Sequence, residues 1–536
     1  MNHLLKKGKT LALILGGVLA LTACGQGNSQ TGNKESGGSK EETASQEASN
    51  KEYKDTLNIA MGAQPPTLDA GLTASNAANN VAGNIFEQLL TMNADYVPTP
   101  ELAESVEASE DGLTYTFHLR KGVKFHNDKE MTADDVVASM NRWLSVSDRA
   151  KTLLPNSSFE KVDDYTVKYT VEKATSDVLT ILASRILFPA IMPKEVVESA
   201  PAEGLTEYIG TGPYKFVEWK QDQYIHLEKF DGYQSLDTPA SAYAGKKEAF
   251  TKDIYYFFVT DPATRIAGIK TGEYDVAEEV PLENYEELSA TEGITMFSKS
   301  SGSLNAFFNT KEGVLANEKM RQAVLAAMDC NEIMMASYAS PANYVLDPGY
   351  MNIKNPVWAV KDGSEYYNQA NPEKAKSLLK EAGYNGEKVT LLTTKDYQEM
   401  YSATIVLQEQ LRQAGINAEV ANFDFPTFME TKGDRSKWDI FITSNSYNVI
   451  PPQILAVNPS WAGFDEPEVA ESIAAIRGAS SEAEAQKEWG KLQKFMYEFG
   501  SSTAIGHYNS AMATTDKVEG FVYFDHPIYW NVKVAK

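Results

Sequence analysis

Between Asn371 and Thr443 the chain alternates helix-forming and strand-forming stretches, and this order restricts the fold more than any other feature. Asn371-Pro372-Glu373 supplies a helix N-cap, a proline at the first helical position and an acid in the first turn. Ala375, Leu378, Leu379 and Ala382 then share one helical face, and Gly383 provides the C-cap. Val389–Leu392 predicts a strand, Ile405–Gln413 a second helix closed by Gly415, and Asn417–Val420 a second strand. Trp438–Ile442 is apolar enough for a buried strand. Helix, strand, helix, strand, strand implies an α/β region with parallel pairing. No repeat period is present, which argues against a solenoid or propeller.

The earlier part, from about Leu57 to Tyr169, is richer in short strands. Asp55–Met61 alternates polar and apolar residues until Gln64-Pro65-Pro66-Thr67 ends the ladder. Asn84–Met92 carries a helical apolar set, and Thr114–Leu119 is an alternating strand. Thr132 has N-cap chemistry, with Asp135 three residues on and Val136, Val137, Met140 and Trp143 at helical spacing. A chain of 536 residues suggests two or three domains. With 43% hydrophobic residues it is not mainly disordered. A net charge of −24 leaves no basic excess for a nucleic-acid backbone.

The first residues read as an address label. Lys6, Lys7 and Lys9 precede an apolar run from Leu11 to Leu21, too short to span a bilayer and the right length for a signal-peptide core. Leu21-Thr22-Ala23-Cys24 looks like a bacterial lipoprotein signal, which makes residues 1–23 a leader and Cys24 the lipidated position. Residues 24–50 have alanine as their only apolar type beyond that cysteine, so they form a disordered tether with a reach of roughly 30 Å. With Cys24 acylated, Cys330 has no partner and no intrachain disulfide is expected.

Chemistry-bearing motifs are scarce. His118, His126, His226, His507 and His526 are scattered and lack the spacing of a metal site, so each reads as a surface or strand residue. Gly210-Thr211-Gly212-Pro213-Tyr214 has no Gly-Lys-Ser/Thr ending, and Pro213 removes a backbone donor; it reads as a tight turn before a strand. Asp134-Asp135, Glu278-Glu279 and Glu286-Glu287 read as solvated faces or helix starts. No nucleophile, base or metal constellation emerges, so no catalytic residue, metal or cofactor is assigned.

Several segments together resemble the family 5 extracytoplasmic solute-binding proteins of peptide/nickel-type ABC importers. The segments are Pro66-Thr67-Leu68-Asp69, Asn84–Leu90, Pro100–Ser105, Asp111–His126, Thr132–Val136 and Gly210–Tyr214. Further on come Gly272–Asp275, Phe308-Asn309, Arg321-Gln322-Ala323 with Asp329, and Asn371–Tyr384. The resemblance implies a two-lobed periplasmic-binding-protein-like α/β clamp of type II, in the large variant with an extra subdomain. Lobe one would comprise 51–91, 190–297 and 503–536, the extra subdomain 92–189, and lobe two 298–502.

It further implies a non-enzymatic, monomeric, lipid-anchored capture protein. Such a protein holds a peptide or other small solute on the outer face of the cell membrane, of a Gram-positive cell by the long tether. It then delivers the solute to a permease driven by a cytoplasmic ATPase. Peptide-binding members often place an acid after the strand that Trp438–Thr443 resembles, to pair with the peptide's amino terminus. Ser444–Pro452 has none, so a neutral polar ligand or an acid from another segment is implied. By position, Gln64, Asn445, Tyr447, Asn448, Trp461 and Tyr508 are the ligand-lining candidates. The alternatives are a nickel-type metal-chelate binder and an anchored extracellular hydrolase. Mass spectrometry of membrane-extracted protein is expected to find a diacylglyceryl group on Cys24; a soluble mature chain beginning elsewhere contradicts the lipid anchor.

Overall fold

Proline and glycine punctuation sets where the first elements stop. The computed structural model describes residues 51–536 except Ala74; the leader, Cys24 and the tether lie outside the described residues. β1 (Thr56–Met61) buries Leu57, Ile59 and Met61 and ends just before the Pro65-Pro66 pair. α1 (Asn76–Ile85) corrects the expected helix over Asn84–Met92: it starts earlier, capped by Ser75, and stops at Ile85. The Gly212 amide takes up the Ile85 carbonyl at 2.9 Å, where a further helical turn would have done so. A Cβ at Gly210 would stand 2.1 Å from that same oxygen. Close approach, rather than a turn alone, therefore calls for glycine there.

β2 (Ala103–Ala108), β3 (Thr114–Leu119), β4 (Ser158–Asp163) and β5 (Thr166–Thr170) form an antiparallel sheet in the order β2–β3–β5–β4. α2 (Ala133–Val146) starts at Thr132, whose amide donates to the Asp135 carboxylate at 2.9 Å, as the sequence predicts. With α3 (Asp148–Leu153) and α4 (Val178–Ala183) it buries Trp143, Phe117, Phe159 and Ile181 in one core. Asp134 and Asp135 both stand in the first turn of α2, as the helix-start reading has it; Asp134 is exposed, whereas Asp135 is buried and paired with Lys129 at 2.6 Å.

Next come β6 (Tyr214–Lys220), β7 (Tyr224–Lys229), β8 (Asp253–Phe258), β9 (Val276–Val280) and the long β10 (Ile294–Phe308). α5 (Pro372–Ala382) has the predicted ends: Asn371 accepts from the Lys374 amide at 2.9 Å, and Gly383 takes φ +71°. β11 (Val389–Thr394), α6 (Gln398–Gln413) and β12 (Ala418–Phe423) follow. α7 (Phe425–Gly433) is absent from the sequence reading although Asp424 and Pro426 mark its start, because Phe425, Phe428 and Met429 fill only about one helical turn; it carries the chain back so that β13 (Ile440–Ser446) lies parallel to β11. The chain ends with α8 (Glu482–Phe499) and the long β14 (Ser502–Thr515), followed by short pairings.

The main sheet runs β12–β11–β13–β10–β14–β9–β1–β8–β7–β6, with Tyr344–Val345 also paired to β14. β10 and β14 pair over nearly their whole length. Their far halves meet different partners: Gly302–Phe308 pairs with β13, while Ala511–Thr514 pairs with β9. Separate cores follow, one around Leu304, Leu391 and Ile440 and one around Leu57, Val276 and Tyr256. Lys54–Ala535 forms one compact unit. Among the described residues no helix is long and apolar enough to cross a membrane. Cys330 is buried with a free thiol.

One buried ion cluster joins distant segments. Lys247 Nζ lies 3.2 Å from Glu87 and bonds Glu101, and all three side chains are almost wholly buried. Thr211 and the Gln88 amide donate to the two remaining carboxylate oxygens, and Tyr233 adds a second donor to the Glu87 oxygen that Lys247 bonds. Removing the cation strands two acids in a region that already pushes the Glu101 pKa up by burial. Lys247→Met should lower unfolding free energy at pH 7 by about 3–5 kcal/mol, measured by urea titration. A loss under about 1 kcal/mol contradicts this account.

Candidate functional site

The strands meet around a cavity of about 680 Å³, within the range of small-molecule sites. One wall is the segment leaving β13, where Asn445, Tyr447 and Asn448 face the space, together with Tyr508 of β14. Gly302 of β10 sits in register with Ser446 and Tyr508. A Cβ there would meet the Asn445 carbonyl at 2.1 Å and the Tyr508 hydroxyl at 2.4 Å, so only glycine lets the Tyr508 ring lie flat across the sheet. That ring stacks on Tyr338 with centroids 5.6 Å apart.

Tyr447 is held from both sides. Its hydroxyl lies 2.6 Å from Ser300 Oγ and 2.7 Å from His507 Nδ1. Burial pushes the His507 pKa down to about 4, so the ring is neutral at physiological pH and serves as a fixed hydrogen-bond partner. The strand reading of His507 is correct.

Charged residues make up the facing wall. Asp525 accepts from the Tyr96 hydroxyl at 2.9 Å, and Asn352 donates to that hydroxyl at 2.8 Å. Burial pushes the Asp525 pKa up and that of the neighbouring Lys299 down. Glu278 is fully buried, with Asn80 donating at 2.9 Å and the Tyr529 hydroxyl bonding its other oxygen. A register shift between Ala277 and Val280, with Glu279 at φ +52°, turns Glu278 inward and leaves Glu279 exposed. The solvated reading of this acid pair is therefore corrected for Glu278. Burial raises its pKa to about 7. His526 Nδ1 bonds Asn80 Oδ1 at 3.0 Å, and burial drives its pKa to about 3; it lies in a connecting segment, not in a strand or at the surface.

The structure brings Asn445, Tyr447, Asn448 and Tyr508 together and leaves two candidates outside the cavity. Gln64 is turned away: its Oε1 accepts from the Asp222 amide at 2.7 Å and from Trp219 at 3.4 Å, pinning the β6–β7 turn. Trp461 packs into the core against Phe307 and Phe441, with Lys432 Nζ 3.9 Å above its ring. Sequence reasoning missed Tyr96, Asn352 and Asp525 because no local pattern marks residues that converge from distant segments. Glu278 had a weak signal: an acid pair that interrupts an apolar strand. Among the described residues no group of three or more His, Cys, Asp or Glu side chains could hold a metal ion.

Comparison with known proteins places this arrangement. A family model described as bacterial extracellular solute-binding proteins, family 5 Middle, matches residues 97–460. The chain is 26% identical, over 88% of its length and 91% of the relative's, to the probable peptide ABC transporter periplasmic-binding protein y4tO of Sinorhizobium fredii. It is 30% identical, over 68% of its length and 69% of the relative's, to the glutathione-binding protein GsiB of Pectobacterium atrosepticum. The crystal structure of the ABC transporter substrate binding protein CtaP from Listeria monocytogenes superposes with a TM-score of 0.75, covering 88% of this chain and 96% of that one at 21% identity. The fold is the two-lobed α/β clamp of periplasmic binding proteins, type II.

The raised Glu278 pKa fixes a sign for pH dependence. Between its ordinary value near 4.5 and about 7, the folded chain keeps a proton that the unfolded chain has lost. Stability therefore falls as pH rises through that window, by roughly 3 kcal/mol from this group alone. Glu278→Gln should remove that slope and gain on the wild type above pH 7, as read from denaturant titrations between pH 4.5 and 8. Parallel curves for the two proteins contradict the assignment.

Proposed function

Because the chain belongs to the bacterial extracellular solute-binding proteins of family 5, we propose that it captures a short peptide or comparable small polar solute in the 680 Å³ cavity. On this reading it hands the solute, chemically unchanged, to a membrane permease driven by a cytoplasmic ATPase. The observation that carries the proposal is the origin of the cavity walls. Asn352, Asn445 and Asn448 come from residues 298–502, while Tyr96, Glu278 and Asp525 come from outside that stretch. A solute touching both sets stabilises their approach, and its differential affinity sets the population shift.

The proposed division is lobe one at 51–91, 190–297 and 503–536, the extra subdomain at 92–189, and lobe two at 298–502. β10 and β14 are then the crossings. Two contacts support a closed arrangement. Asn352 reaches Tyr96 at 2.8 Å, and Arg477 pairs with Asp177 at 3.0 Å while donating to the Leu153 carbonyl at 2.6 Å. The relatives' names point to peptides, and the loop after β13 lacks an acid. Asp525 and Glu278 would meet an amino group in its place. Lipidation of Cys24 and the tether of residues 24–50 would hold this monomeric clamp at the outer face of the cell membrane.

Small-angle scattering tests the clamp. Adding the dialysable fraction of yeast extract should reduce the radius of gyration. Arg477→Ala should enlarge the solute-free form and weaken binding of the retained solute by roughly tenfold, as for a less populated competent state. Unchanged scattering at saturating solute, or recovery of a chemically altered solute, refutes the proposal.

A further inference from the structure

β1 stops at Met61, while the chain on either side of it runs on, from β8 into Val259 and Thr260 and along β9 to Val280. Carbonyls beyond that point lose the ladder partner that β1 would have given them. Arg265 takes them up. Its Nη1 donates to the Val259 carbonyl at 2.6 Å and to the Thr260 carbonyl at 3.1 Å, and its Nη2 donates to the Glu279 carbonyl at 2.9 Å. One side chain thus bridges β8 and β9 across the place where β1 has ended.

Local sequence puts the guanidinium there. Asp261 caps the helix Pro262–Thr271, accepting from the Thr264 amide at 2.8 Å, and Pro262 fills the first helical position. Arg265 follows one turn in. Helical side chains lean toward the N-terminus, which here means toward Val259 and Thr260. The residue is only 4% exposed. A rigid fork of five donors can serve three carbonyls at once, where a lysine ammonium is a single point. Gly62, the first residue past β1, leaves the room: a Cβ there would stand 2.0 Å from Glu279 Oε2 and 3.4 Å from Arg265 Nη1.

This clamp fixes the bulge in β9. Glu279 has φ +52°, a backbone state that a residue other than glycine keeps only when its surroundings hold it. The pairing with β14 slips between Ala277 and Val280, and the slip turns Glu278 into the cavity. Around the Glu278 carboxyl stand Asn80 of α1, Tyr256 of β8, and Tyr523 and Tyr529 of the C-terminal segment. β14 sets Ala511 and Ala513 opposite this stretch. The charged groups acting on Glu278 are Glu279 and Arg265 themselves. Arg265 stands outside the cavity lining and spends its bonds on carbonyl oxygens, so it governs Glu278 through the backbone.

We propose that Arg265 is a positioning residue for solute capture: through the Glu279 carbonyl it holds the bulge that aims the Glu278 carboxyl into the cavity. This rests on the solute-capture reading for its consequence, and on the bulge alone for the placement of Glu278.

Four whole proteins test it: wild type, Arg265→Met, Glu278→Gln and the double variant, each unfolded in urea between pH 4.5 and 8. The stability that the wild type loses over this range, and that Glu278→Gln keeps, reads the buried carboxyl. In the Arg265→Met background that difference should shrink by more than half, because a relaxed bulge returns Glu278 to water. Arg265→Lys should keep part of it. A merely structural role lowers every stability and leaves the difference intact. An undiminished difference in Arg265→Met therefore overturns the proposal; if that variant fails to fold, an undiminished difference in Arg265→Lys does so. Capture is read separately, with the solutes that wild type retains from the dialysable fraction of yeast extract. Arg265→Met should hold them about tenfold more weakly at pH 8, as for a less populated competent state. Equal retention overturns the role in capture. A wild type that retains nothing overturns the capture reading and leaves the urea result to decide the bulge.

Discussion

The antiparallel pairing of β10 and β14 is the constraint on which the molecule is built. Each strand satisfies its backbone groups against the other, and each then offers its outer edge to a different set of strands. β13 takes one end of the ribbon and β9 takes the other. A register shift between Ser300 and Gly302 falls at the level of the cavity. Bulges of this kind bend a strand and re-aim its side chains. Lys299, Ser301, Tyr508 and Ser510 can therefore all face one space from two neighbouring strands.

Three buried charges in the molecule are handled in three ways. Lys247 is paired twice and serves to hold segments together. Glu278 has two donors and a pKa lifted close to neutrality, so it stands between acid and carboxylate. Arg185 is only packed, by aromatic faces that fix its plane without taking its hydrogens.

Much of the scaffold was legible because its signals are local. Asn371, Pro372 and Gly383 mark one helix unambiguously, and Thr132 with Asp135 marks another. The helix Phe425–Gly433 escaped because its apolar signal, Phe425, Phe428 and Met429, is only about one turn long, and of the three only Phe428 is deeply buried. Asn84–Met92 was misread because the signal ending α1 lies far away, at Gly212. The site was half legible. The segment Asn445–Asn448 and Tyr508 were found by position, whereas Gln64 and Trp461 are consumed by the β6–β7 turn and the core. The charged wall was invisible, since Tyr96, Glu278 and Asp525 meet only after the sheet has brought distant strands side by side.

Gly83 and Arg185 compete for the same volume. Among homologous chains, any side chain at the first position would displace the guanidinium at the second, so the two identities should change together. That two-letter correlation lets the packing be checked from sequences alone, before any relative is purified.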